Sequence, residues 1–246
     1  MKTIGVIPAR WGSSRFPGKS LALISGKPMI QRVIERVENA EKLDTIVLAT
    51  DDKRIANFAS DLNKSNLIIK MTSSKHATGT DRIAEAVADI NANIIINIQG
   101  DEPLIEPKLI DHLIDVLKDP KWDIVTAATL INKAEDIDNP SIVKVVFNDE
   151  GKAMYFSRSR IPYNSNKIRN SDNQLYWRHI GIYGYQKESL LKVVSSPQSR
   201  YEIYENLEQL RALSIGCDMY VCETKDYGMG IDNPEDIFKI EKIIKD

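Results

Sequence analysis

Cationic and glycine residues crowd the segment IPARWGSSRFPGK (7–19). Gly12, Ser13, Ser14 and Gly18 expose backbone N–H groups there, and Arg10, Arg15 and Lys19 supply charge-assisted hydrogen bonds. Such a mixture suits phosphate oxygens. The run ends in Gly-Lys-Ser, but five residues rather than four separate Gly12 from Gly18, and they include Phe16 and Pro17. A P-loop also needs a helix N-terminus beneath its phosphates, whereas Leu21 to Lys27 reads as a short apolar stretch. An ATPase motif is therefore excluded. The plain alternative to a phosphate site is a solvated Gly/Ser loop.

Carboxylates stand at two distant points. In QGDEP (99–103), glycine permits a tight backbone and Asp101 projects from a strand exit. A carboxylate so placed suits Mg²⁺, which takes few protein ligands and completes its shell with water and phosphate oxygens. A turn aspartate bonding its own backbone is the alternative. In GMGIDNPED (228–236), Asp232 precedes a helix beginning near Pro234, where an N-terminal cap is the commoner role. Asp236 is expected in the first turn, facing the helix dipole.

Other polar groups suit a base and a sugar. KHATGTDR (75–82) has hydroxyls and glycine at a helix start, where Thr80 or Asp81 is a cap or, with Gly79, a hydrogen-bonding edge for a nucleobase. In RHIGIYGY (178–185), strand alternation puts His179, Gly181, Tyr183 and Tyr185 on one face. That face suits a sugar pocket, and a satisfied core histidine is an equal alternative. In LEQLR (207–211), Leu207 and Leu210 are expected core anchors, leaving Glu208 and Gln209 for a polyhydroxylated ligand or for solvent.

These residues need a scaffold. TIGVIPA (3–9), TIVLAT (45–50), LIIKM (67–71) and NIIINIQ (93–99) are short, apolar and β-branched, as strands buried on both faces are. Helical spacing separates them over 28–37, 52–59 and 81–90, and again follows over 107–117. Such alternation predicts a mainly parallel sheet covered on both sides. The second half is less regular, with strands expected over 124–130, 142–148, 153–157, 176–185 and 218–223, some of them antiparallel. A polar surface loop is expected over 164–173, a long helix over 201–214 ended by Gly216, and a last helix from Pro234.

At 246 residues with 42% hydrophobic and 28% charged side chains, the chain can bury a sizeable core, which excludes collagen-like and disordered classes. A net charge of −2 gives no reason to expect a nucleic-acid partner. No apolar run approaches the roughly 18 residues of a membrane span, and the N-terminus lacks a signal-peptide pattern. Cys217 and Cys222, five apart, fall on opposite faces of one strand, so no mutual disulfide is expected and a cytoplasmic setting fits. The histidines are too few and too dispersed for a zinc site.

Taken together, IPAR (7–10), SSRFPGK (13–19), GKPMI (26–30), ATDD (49–52), TGTDR (78–82), QGDEP (99–103), KVVF (144–147), YFSR (155–158), RHIGIYGY (178–185), LEQLR (207–211) and GIDNPED (230–236) resemble the 3-deoxy-manno-octulosonate cytidylyltransferases, or CMP-Kdo synthetases. The resemblance implies an α/β, Rossmann-like nucleotidyltransferase fold, mostly parallel with a smaller antiparallel portion. It implies one domain over 1–246, with nucleotide binding over about 1–130, sugar binding and dimerisation over 131–225, and a return to the main sheet over 226–246. The implied reaction joins CTP and Kdo into CMP-Kdo and pyrophosphate, for lipopolysaccharide biosynthesis.

Carried over by the matching motifs, Arg10, Arg15 and Lys19 grip the triphosphate beside Ser13 and Ser14. Asp101 and Asp232 hold Mg²⁺, and Gly79, Thr80 and Asp81 lie by the cytidine. Gln99, His179, Tyr183, Tyr185, Glu208 and Gln209 meet the sugar, and a homodimer is implied. Ser20 replaces the family's usual proline, and Thr78 its frequent serine, which keeps the hydroxyl. CMP-sialate synthetases carry a different arrangement where this chain has RFPGKS (15–20). A synthetase for the 8-amino analogue of Kdo, or an inactive nucleotide-binding module on the same fold, stays open.

Overall fold

The computed structural model describes residues 1–12, 16–76, 78–165, 175–226 and 228–245. Ser13, Ser14 and Arg15 of the cationic loop, and nearly all of the expected polar loop, lie outside them. Two compact units form: Met1–Ile114 with Gly228–Asp246, and Asp115–Tyr227.

In the first unit, strands β1 (Thr3–Ala9), β4 (Thr45–Thr50), β5 (Leu67–Met71) and β6 (Ile94–Asn97) pair in the order β6-β1-β4-β5, all parallel. Ile4, Val6, Ile7, Val47, Leu48, Ile95 and Ile96 are wholly buried, which is why these runs show no polar alternation. Crossover helices α1 (Met29–Val37), α2 (Lys53–Asp61) and α3 (Gly79–Val87) connect them. On α1 the buried side chains are Met29, Ile30, Val33, Ile34 and Val37, the set that helical spacing predicts. Because the strands are parallel, Arg10, Asp51, Thr72 and Gln99 all leave or follow the same end of the sheet.

A short hairpin, β2 (Leu23–Ile24) with β3 (Lys27–Pro28), fills the stretch before α1, so among the described residues no α-helix directly follows the cationic loop. Helix α3 starts earlier than expected. Its cap is Thr78, whose hydroxyl accepts from the Asp81 N–H at 3.1 Å, rather than Thr80 or Asp81.

The second unit arranges β7 (Ile124–Leu130), β8 (Lys144–Phe147), β9 (Ala153–Ser157), β10 (Trp177–Gln186) and β11 (Met219–Glu223) in the order β11-β7-β10-β8-β9. Only β11–β7 is parallel among these pairs. Helix α4 (Pro107–Leu117) precedes them, and α5 (Ala134–Ile137) and α6 (Lys187–Ser195) lie between strands. The expected long helix is two, α7 (Arg200–Glu205) and α8 (Gln209–Ser214). Asn206 adopts the left-handed conformation, φ 51° and ψ 51°, which asparagine tolerates and a helix interior does not. Arg158 fixes the break by donating to the carbonyl oxygens of Glu205 at 2.8 Å and Asn206 at 3.3 Å.

The last helix, α9 (Pro234–Lys245), opens where its cap-and-proline pair predicts. Cys217 lies just before β11 and Cys222 within it. Both thiols are free and buried, and burial pushes that of Cys222 up to about 12. No helix among the described residues is long and apolar enough to cross a membrane.

Candidate active site

At the strand exits of the first unit lies a cleft of about 320 Å³. Arg10, Lys19, Gly79, Gln99, Asp101 and Asp232 line it, so residues from distant sequence positions share one wall. Apolar packing accounts for the meeting. Ile231 is wholly buried against Ile24, Met29 and Ile240, with Leu104 packed beside them. Its backbone N–H donates to the Asp101 carbonyl at 2.9 Å, tying the turn that bears Asp101 to the segment that bears Asp232.

Lys19 completes this link. Its ammonium donates to Asp101 Oδ2 at 2.5 Å and to the Ile231 carbonyl at 3.0 Å. Lys19 itself comes from a one-turn 3₁₀ helix entered through Gly18, at φ 72°. A Cβ at Gly18 would lie 2.9 Å from the Trp11 ring, so glycine is required for both conformation and space. Arg54 stacks on Trp11, 3.3 Å from the ring centroid, and its guanidinium is held by Asp52 at 2.9 and 2.7 Å. The brace of Trp11 and Arg54 was invisible in the sequence, because nothing in residue order joins them.

Gly100 brings the acidic turn against the first strand. A Cβ there would stand 2.7 Å from the Pro8 carbonyl oxygen, a backbone atom that cannot swing away. Asp236, rather than Asp232, takes the N-terminal role at α9: its Oδ2 accepts the N–H groups of Asp232 and Asn233 at 3.2 and 3.0 Å. Asp232 itself is exposed. Arg82, which also lines the cleft, is buried and donates to Thr72 at 2.6 Å and Asp51 at 2.7 Å, joining two strand exits. Gly79 reaches the cleft, whereas Thr80 is buried within α3 and Asp81 is half-buried.

Asp101 and Asp232 offer carboxylate oxygens to this cleft, the donor type a hard divalent cation takes. Asp101 already carries a positive partner in the Lys19 ammonium, which marks its carboxylate as a cation acceptor. Asp232 lines the same wall. The residues therefore fit Mg²⁺ with two protein carboxylates. Among the described residues no group of three or more His, Cys, Asp or Glu side chains gathers, so a cage made wholly of protein is not what forms.

The other expected sugar residues belong to the second unit. His179, Tyr183 and Tyr185 form a row, with ring centroids 5.4 Å and 6.0 Å apart. Phe156 meets His179 edge-on at 5.0 Å. The row persists across an irregularity in β10 because the register slips by an even number of residues: His179 pairs with Ala128 and Tyr183 with Thr126. Burial, with Tyr185 and Glu208 nearby, pushes the Tyr183 phenol well above its ordinary value. It therefore stays neutral and can donate. Burial likewise drives His179 down to about 3, with Arg178 adding to the shift, so the imidazole is neutral at ordinary pH.

Leu207 and Leu210 are buried, as expected. Gln209 is buried too, and among the described residues its Nε2 has no hydrogen-bond partner. An unpaired buried amide is costly unless a ligand completes it, so Gln209 carries a structural mark of a binding role that Glu208, half-buried at the start of α8, shares only by position.

A family profile described as cytidylyltransferase matches residues 4–226. A 3-deoxy-manno-octulosonate cytidylyltransferase of Thermodesulfovibrio yellowstonii is 47% identical, the match covering 99% of this chain and 98% of that protein. The chain belongs to the 3-deoxy-manno-octulosonate cytidylyltransferases. A second member, from Geobacter sulfurreducens, is 42% identical over the whole of both chains. A solved CMP:2-keto-3-deoxy-manno-octonic acid synthetase complexed with CTP superposes with a TM-score of 0.90 at 39% identity, covering 100% of this chain and 99% of that one. Membership over the full length agrees with the resemblance carried by the motifs, and the fold is the α/β arrangement that it implied.

Proposed function

We propose that this chain transfers CMP from CTP to 3-deoxy-D-manno-octulosonate, releasing pyrophosphate. The anomeric hydroxyl oxygen attacks the α-phosphorus, a new P–O bond forms, the bond to the β-phosphate oxygen breaks, and the hydroxyl proton leaves to solvent. The observation that carries the reading is the shared wall of Lys19, Asp101 and Asp232 at the parallel-strand exits, in a chain of this family. Lys19 and Arg10 offer charge to the triphosphate, and Gly79 lets the backbone approach the nucleoside. Asp101 and Asp232 would hold Mg²⁺, which when bound neutralises phosphate charge and lowers the pKa of an attacking hydroxyl. Gln99 lies in the first unit's cleft; His179, Tyr183, Tyr185, Glu208 and Gln209 are assigned to the sugar.

A homodimer is supported by the exposure of Met154, Tyr201, Ile203 and Tyr204, large apolar or aromatic side chains that a second copy would cover. The unpaired cysteines support a reducing, cytoplasmic setting.

Pyrophosphate release with each of the four nucleoside triphosphates and Kdo tests the reading. CTP is expected to exceed the others in kcat/KM by about 10²-fold or more, as a site that leaves wrong base groups unpaired should. Tight CTP binding without turnover contradicts it and indicates an inactive nucleotide-binding module. A higher kcat/KM with the 8-amino analogue than with Kdo reassigns the sugar.

A further inference from the structure

We propose that Thr126 is a positioning residue: it holds His179 as the Nε2–H tautomer and so presents Nδ1 as an acceptor for a hydroxyl of the sugar. The ligand half of this proposal rests on the assignment of the sugar to the row of His179 and Tyr183.

The proton count at Thr126 decides the tautomer. Thr126 is wholly buried on β7, and its Oγ1 lies 2.8 Å from the Ile182 carbonyl oxygen, 3.3 Å from that of Ile180 and 2.9 Å from His179 Nε2. A carbonyl has no proton to give, so the close approach to Ile182 requires the single threonine hydroxyl proton to point there. With that proton spent, Oγ1 faces Nε2 only as an acceptor. Nε2 must therefore carry hydrogen.

The backbone explains why a hydroxyl stands at this point. Between Ile180, paired with Ala127, and Tyr183, paired with Thr126, the register with β7 slips at Gly181 and Ile182. The irregularity brings the carbonyls of Ile180 and Ile182 beside the β7 side chain, and the Thr126 hydroxyl donates to the nearer one, that of Ile182. The same hydroxyl thus closes the bulge and orients the ring.

His179 is neutral, so it has one bare nitrogen, and that nitrogen is Nδ1. Among the described residues Thr126 is the ring's only hydrogen-bond partner. The His179 side chain is only half-buried, which leaves part of it open to a ligand. The neighbouring ring in the row, Tyr183 at 5.4 Å between centroids, carries a phenolic proton. An acceptor nitrogen beside a donor hydroxyl is a pair that discriminates a hydroxyl from an amine or a hydrogen at one sugar position.

The test combines nitrogen NMR with kinetics. Histidine labelled with ¹⁵N in the otherwise native full chain should show the His179 ring, assigned by its loss in His179→Gln, as a protonated Nε2 and a bare Nδ1. Thr126→Val should shift that pattern toward the other tautomer or a mixture, and raise the KM for Kdo about tenfold, the loss of roughly one hydrogen bond. The KM for CTP should stay within about twofold, and Thr126→Ser should restore the Kdo KM and the spectrum. A native ring protonated at Nδ1 overturns the proposal, as does a spectrum unchanged by Thr126→Val. An altered tautomer with an unchanged Kdo KM, where His179→Gln does raise it, overturns the acceptor role. If His179→Gln leaves the Kdo KM untouched, the assignment of the sugar to this row falls, and the spectrum still decides the tautomer by itself.

Discussion

Replacing Asp101 with alanine is expected to lower kcat by about three orders of magnitude at saturating CTP, Kdo and Mg²⁺, the scale on which removal of a preorganised charge acts in phosphoryl chemistry. The substitution leaves the backbone link intact, because Ile231 donates to the Asp101 carbonyl and not to its carboxylate. Stability should therefore change little, and thermal unfolding of the variant checks that the loss is chemical. Lys19 loses its nearest anionic partner and is left with the Ile231 carbonyl, so its ammonium is no longer steered along the wall. Asp232→Ala is expected to act through the same cation. The double variant should fall only slightly below the worse single one, as groups that serve one ligand are not additive. Pyrophosphate release measures all three. A residual kcat within tenfold of the native chain contradicts the assignment of Asp101.

The largest stability effect is expected in the second unit, at Arg211. Its guanidinium forks onto Glu202, Nε to Oε2 at 2.9 Å and Nη2 to Oε1 at 2.5 Å, and the two side chains are only 6% and 5% exposed. Glu202 also closes a capping box with Ser199 at the start of α7. Burial alone would raise the Glu202 carboxyl, but the Arg211 fork and the Ser199 N–H outweigh it and hold the group below its ordinary value. Arg211→Ala leaves that carboxylate buried and unpaired, at a loss of roughly 3–5 kcal/mol. Urea unfolding should show this as a lower midpoint with an unchanged slope. Replacing both partners by apolar residues should recover much of the loss, because it removes the stranded charge. Equal loss in single and double variants contradicts the explanation. Because α7 and α8 flank Glu208 and Gln209, a loosened pair should also raise the Kdo KM.

The parallel half of the fold was legible because both faces of each strand are covered, which leaves unbroken β-branched runs such as TIVLAT (45–50) and NIIINIQ (93–99). The tight approaches at the cationic loop and the acidic turn were legible for a different reason. Gly18 and Gly100 sit where a side chain would strike Trp11 or the Pro8 carbonyl, and such positions show in sequence as glycines beside charge. The break at Asn206 was not legible, since asparagine gives a weaker stop signal than glycine and the helical spacing runs on through Leu207 and Leu210. Nor was the placement of the caps, as Thr78, Thr80 and Asp81 are all competent and only the backbone chooses among them. Thr126 was hidden inside an apolar run, IVTAATL (124–130), where a threonine reads as one more β-branched residue. Its role depends on a bulge in a strand some fifty residues later.

Sequence, packing and chemistry converge at one point of the first unit. Burial of Ile231 is a hydrophobic event, and its consequence is electrostatic: Asp101, held against the Lys19 ammonium, and the distant Asp232 come to line one cleft. A crystal of the native chain grown with CTP and Mn²⁺ in place of Mg²⁺, with anomalous scattering recorded for the manganese, tests that convergence most directly. The expected result is an anomalous peak within ordinary ligand distance of both the Asp101 and Asp232 carboxylates and of the triphosphate. A peak that touches neither carboxylate, or binds one while the other turns away from the nucleotide, contradicts it.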